Sequence, residues 1–179
     1  MKYLKYSLSI VLVALTLVSC SEKSLQKYLV EKQDDEHFVK MDLAASLLQG
    51  KENTFTDEEK KTLSTIKKVN IVAYPLSSGD SINYESERIE VKQILRQDQY
   101  KELARFNNDQ WDATIKFTGE EDAINELIVF ASDDNRGFAV LRILGDDMRP
   151  DEIFKLVKGA DKNDLDFSKF SGLSEIFKD

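Results

Sequence analysis

Four groups of residues in the chain carry the types that chemistry needs. Ser24 with Lys27, and Ser64 with Lys67, have the S-x-x-K spacing in which a lysine can take a serine proton. Enzymes that use this pair also need S-D-N and K-T-G elements, and the sequence has neither. His37 is the single histidine, and it follows Asp34, Asp35 and Glu36. A Ser-His-Asp relay therefore has its residue types, but no G-x-S-x-G elbow presents a serine. His37 reads instead as an edge histidine at a strand start. A zinc site would need several His or Cys ligands. Asp164, Asp166, Ser168 and Glu175 fall at positions 1, 3, 5 and 12 of a calcium loop. Lys169 stands where the sharp turn wants Gly, and Ser171 where an aliphatic residue is usual, so calcium is not expected there. The same stretch reads better as an amphipathic segment that docks Phe167, Phe170, Leu173 and Phe177. The acid clusters Asp34–Glu36, Glu120–Asp122, Asp133–Asp134 and Asp146–Asp147 lie in expected turns, where Asp is favoured for backbone reasons. No catalytic, metal or cofactor site is expected from these residues.

The remaining reactive residue is Cys20, the single cysteine. Residues 1–6 carry Lys2 and Lys5 and no acid, and residues 8–18 are uncharged. A helix needs about 20 apolar residues to cross a bilayer, so this run is too short to span. It has the length of a signal-peptide apolar region. The ending Leu17-Val18-Ser19-Cys20 resembles the lipobox of bacterial lipoproteins. The resemblance implies a diacylglycerol on the Cys20 thiol, cleavage before it and acylation of the new amino group. Three chains bury far more methylenes than the two that suffice for stable anchoring. Ser21 is not the Asp that retains some lipoproteins in the inner membrane, which implies the outer membrane. Glu22 alone is a poor match to acidic surface-export signals, which favours the periplasmic face.

Three segments follow: a signal peptide over 1–19, a lipidated cysteine and short tether over 20–24, and one globular domain over 25–179. A mature length near this value suits one domain with a core that needs no disulfide. The chain has 25 Lys+Arg against 33 Asp+Glu, a net charge of −8. Loss of Lys2 and Lys5 takes it to −10. No basic stripe relieves that charge, so nucleic acid is not an expected partner.

The elements that must hold these residues alternate helix and strand signals. Leu25, Tyr28 and Leu29 mark one amphipathic helix face directly after the tether. Residues 37–43 read as a strand and "AASLLQG" as a helical turn. Thr56 and Glu59 form a capping box, and residues 68–76 read as a strand ended by Pro75. Residues 84–106 read as one helix, or two with a joint near Asp98. In "WDATIKF" the alternation places Trp111, Ala113, Ile115 and Phe117 inward and Asp112, Thr114 and Lys116 outward. "INELIVFAS" and "GFAVLRIL" follow as strands around the loop "DDNRG", which makes a three-strand meander over 111–144. Pro150, Asp151 and Glu152 open a last helix, with Lys155 and Lys158 near its end and Gly159 beyond. The expected fold is a single α+β domain. It has a largely antiparallel sheet of about five strands, helices on one face, and the meander followed by a helix.

The blocks "TLSTIKKVNIVAYP", "YKELARF" and "ELIVFASDDNRGFAVLRILGDDMRPDEI" resemble a domain-of-unknown-function lipoprotein family of Bacteroidota. The resemblance covers most of residues 25–160 and implies no established active site, so no functional residue carries over. The expected function is a non-enzymatic binding or structural module tethered to the outer membrane, with a protein or glycan partner in the envelope. The alternatives are an envelope hydrolase built from scattered acids or Ser and Lys, and a sensory partner of an envelope-stress regulator.

Overall fold

A computed structural model describes residues 22–44, 55–78, 81–107 and 109–160. Cys20, residues 45–50 of the expected "AASLLQG" turn and the loop 164–175 lie outside the described residues. Helix α1 spans Leu25–Glu31 and is capped by Ser24, whose side chain accepts from the Lys27 N–H. Strand β1, Val39–Ala44, precedes α2, Asp57–Thr65. The capping box at Thr56 and Glu59 is present in both directions. Strand β2 covers Ile66–Pro75 and a 3₁₀ turn covers Leu76–Ser78. Then come α3 (Ser81–Ile94), β3 (Lys101–Asn107), β4 (Trp111–Glu120), β5 (Ala123–Asp133), β6 (Gly137–Met148) and α4 (Pro150–Ala160).

The strands form one six-stranded sheet in the order β1-β2-β6-β5-β4-β3, and every neighbouring pair is antiparallel. The expected three-strand meander is β4-β5-β6, and β3 extends it by one strand. The hairpin between β5 and β6 closes where expected. Asp133 accepts from the N–H groups of Asn135 and Arg136, and Gly137 holds a φ of 123°. A Cβ on Gly137 would lie 2.0 Å from the Tyr74 carbonyl oxygen, so only glycine lets β2 and β6 approach there.

The α+β class, the single domain and the antiparallel sheet agree with the sequence reading. Three particulars differ. Residues 84–106 are not wholly helical: α3 ends at Ile94, turns through Gln97 and Tyr100 follow, and Lys101–Asn107 is the edge strand that makes the count six. "KELARFN" favours a helix locally, and pairing with β4 overrides it. Helices also cover both faces of the sheet, not one. Leu25 and Tyr28 of α1 and Val91 and Ile94 of α3 pack with Val72, Tyr74, Ile128, Phe130 and Val140. On the opposite face Leu63 of α2 and Ile153 and Leu156 of α4 pack with Val69, Phe117, Leu127 and Ile143. The central strands carry apolar residues at successive positions, which is the pattern of a sheet buried twice. Finally, Trp111 is 42% exposed, because it stands at the end of β4 beyond the second cluster, whereas Ile115 and Phe117 are buried as expected.

Candidate functional site

The chemistry-bearing residues of the sequence do not converge. Ser24 caps α1, and the Ser64 hydroxyl donates to the Lys61 carbonyl at 2.6 Å. His37 sits 2.9 Å from Asp35 and stacks on Tyr74 at 6.3 Å. Asp134 faces Arg88, Asp146 pairs with Lys67, and Glu120 faces Lys101. These acids are therefore spread over separate turns with separate cations. Among the described residues no group of His, Cys, Asp and Glu is disposed to hold a metal. No described helix is long and apolar enough to cross a membrane.

The tether side is tightly fastened. Leu25 and Tyr28 are fully buried, and Leu29 is partly buried against the same cluster. The Leu25 N–H donates to the Tyr100 hydroxyl at 3.1 Å, and Gln97 donates to the Lys23 carbonyl at 2.8 Å. Tyr28 donates to Glu87 at 2.9 Å, Lys32 pairs with Glu87, and Lys23 pairs with Glu31 and Glu90. Burial, with the Glu87 charge beside it, pushes the Tyr28 phenol far above its ordinary value. The first helix thus spends its apolar face on the domain, as its spacing implies.

Two surfaces stand out on the sheet. On the α2/α4 face, register aligns Val39, Ala73, Ala139, Ala131, Ala113 and Phe106 in one row across all six strands. Of its four successive alanines Ala73 is fully buried, and Ala139, Ala131 and Ala113 make a shallow trough. The next row, Met41, Ile71, Leu141, Val129, Ile115 and Ala104, forms one bank. Trp111, at 42% exposure, and Phe106, at 52%, stand at the other end. Ala113, Ala131, Ala139, Val129 and Leu141 are only half-buried, so helices α2 and α4 leave this part of the face incompletely covered. A hollow of about 210 Å³ opens between Trp111, Ala131 and Ala139, bordered also by Ser132, Asp133 and Arg136.

On the α1/α3 face one cross-strand row reads Asp42, Asn70, Arg142, Ile128, Lys116 and Glu102. Arg142 is 7% exposed. Its Nε donates to Glu126 and its Nη1 to the side-chain oxygen of Gln26 on α1. Beside it Asp42 accepts from Lys68 at 2.9 Å and from the Asn70 amide. Burial pushes the Asp42 carboxyl up, but those two donors outweigh it and hold the carboxyl below the usual aspartate value. A cleft of about 400 Å³ lies between α1 and this row. The Lys40 ammonium at its edge donates to the Gln33 and Asp35 carbonyls at 2.9 and 2.7 Å, closing the C-terminal end of α1.

Neither surface follows from the residues singled out in the sequence. Arg142 and Glu126 leave a trace there, as charges inside the apolar runs "GFAVLRIL" and "INELIVF". The alanine row leaves none, because four alanines on four strands become neighbours only through register.

A family model described as a domain of unknown function, DUF4252, matches residues 28–156. It runs from Tyr28 in α1 to Leu156 in α4 and so takes in all six strands. No curated protein and no solved structure matches the chain.

Proposed function

The chain belongs to the DUF4252 family, and for this member we propose a non-enzymatic binding module of the cell envelope, anchored through lipid on Cys20. The observation that carries the binding role is the alanine trough with its exposed aromatic rim. Small side chains let another backbone come close to the sheet, and Trp111 and Phe106 supply the large apolar contacts that anchor interfaces. Ser132, Asp133 and Arg136 border the hollow, but Trp111 and the alanines supply its main contact surface, which suits an apolar segment better than a glycan. The partner is therefore an apolar segment of another envelope protein.

The lipobox supports the anchor, and the burial of α1 supports its geometry. Glu22 is the first described residue, and two further residues to Cys20 reach at most about 7 Å. A lipid there would hold the α1/α3 side against the bilayer and leave the trough on the far side, facing the aqueous space. The polypeptide's charge of −10 would add nothing to attachment on an anionic leaflet. Metabolic labelling with a fatty-acid analogue tests the anchor. Label on the intact chain and none on Cys20→Ala is expected. Label that persists in Cys20→Ala removes the assignment.

A further inference from the structure

We propose that the cleft beneath α1 is a binding site for a small aliphatic carboxylate, received by the guanidinium of Arg142. This inference is independent of the trough and of the anchor.

Arg142 sits in the middle of β6 and is more than nine-tenths buried. A buried guanidinium needs a carboxylate, and Glu126 supplies one to Nε. The opposite edge of the fork is held differently. Nη1 is met by the neutral amide oxygen of Gln26, a residue of α1 that is itself exposed. The structure therefore closes the inner edge of the arginine with a buried charge and the outer edge with a replaceable side chain. A ligand carboxylate in the place of the Gln26 oxygen would exchange a neutral acceptor for a charged one, and charge-assisted hydrogen bonds are about twice as strong.

The rest of the cleft fits the same ligand. Asn70 is buried on its floor, and Lys68 adds a cation that Asp42 already balances. Lys40 is held by carbonyl groups at the end of α1. With Arg142 paired to Glu126 and Lys68 to Asp42, the Lys40 ammonium, which meets only carbonyl oxygens among the described residues, leaves the cleft one net positive charge, which suits a monovalent carboxylate and not a phosphate dianion. Leu29 and Val72 line the same space and offer contact to a short aliphatic chain. The volume of about 400 Å³ accommodates a small molecule and no folded partner.

The probe is butyrate, with butyramide as its neutral isostere and inorganic phosphate as the competing anion, all at fixed ionic strength. The full chain in detergent micelles is observed by NMR at the Arg142 Nε–H signal. Butyrate should shift that signal saturably with a Kd in the millimolar range or tighter, and butyramide should bind about tenfold more weakly or worse. Gln26→Ala removes the internal competitor from an exposed position. It should fold as the parent does and tighten butyrate several-fold. Arg142→Lys loses the planar fork and should lose saturable binding. The proposal is overturned by equal responses to butyrate and butyramide, by a preference for phosphate, or by shifts that do not saturate. An unchanged affinity in Gln26→Ala overturns it even if Arg142→Lys does not fold, and would leave the Arg142–Glu126 pair a structural feature only.

Discussion

On the α1/α3 face the row through Arg142 is charged and is closed by a helix that ion pairs and a buried tyrosine hold in place. On the opposite face the row through Ala139 is small and apolar, and the helices stop short of it. Both rows cross the same six strands. In one, polar groups are paired, so their burial is tolerated. In the other, Ala113, Ala131 and Ala139 stay half-buried beside the exposed Phe106 and Trp111, and exposed apolar patches of this kind are often functional. Burial thus separates a face closed by its helices from one that the described helices cover only in part.

Adjacent residues of β5 give the largest test of that contrast. Phe130 is 1% exposed on the α1/α3 face, and its neighbour Ala131 is half-buried in the trough. Phe130→Asp loses a core ring and buries a lone charge, which should cost more than about 4 kcal/mol and leave little folded protein. Ala131→Asp should cost about 1 kcal/mol. Urea midpoints decide, and similar losses for both would erase the difference between the faces.

Next in size is the buried ion pair. Glu126→Gln strands the Arg142 charge and should cost about 3 kcal/mol in the same measurement. A loss below about 1 kcal/mol would mean that water already reaches the pair and screens it.

Titration should move stability by less, and in opposite senses at the two ends. Arg88 hydrogen-bonds Glu85 and holds its carboxyl below the ordinary value, and Asp42 is lowered too. Their contribution is complete above the unfolded carboxyl range near about pH 4 and is lost as pH falls through the lower folded values. Burial pushes Tyr84 up to about 12, and Tyr28 rises as well. Their contribution is complete below about pH 10 and is lost as pH rises through the folded values. Urea midpoints should therefore be flat between about pH 5 and 10 and fall on both sides. Tyr84→Phe should weaken the alkaline fall, and an unchanged alkaline limb would show that Tyr84 ionises as freely folded as unfolded.

The smallest effect belongs to the α2/α4 side. Thr56→Ala removes the capping box and should cost about 1 kcal/mol. Because α2 ends short of the trough, binding through the trough should survive this change. Loss of binding in Thr56→Ala would show that the helix belongs to the interface.

The sequence made the capping box, the Pro75 strand end, the β5–β6 hairpin and the apolar face of α1 legible, because each depends on residues a few positions apart. It misled at Lys101–Asn107, where a local helical preference yields to the open edge of β4. It also misled on the helix layers, since alternation in "WDATIKF" suggested one wet face. Asp112 instead meets Lys92 of α3 at 3.1 Å and Ser132, and Thr114 is buried. Charged residues at those positions are satisfied by partners distant in sequence, which no local pattern announces. The Arg142 cleft was half legible, as a charge in an apolar run. The trough was not legible at all.

The central claim is that the incompletely covered alanine row is where this module meets a protein partner. Photocrosslinking in intact cells addresses it directly, with the reactive residue placed at position 131 in the trough or at position 57, where Asp57 is fully exposed at the start of α2. Discrete crosslinked protein bands from position 131, absent from position 57 and lost with Ala139→Arg, are the predicted result. The same bands from both positions, or none from position 131, would contradict it.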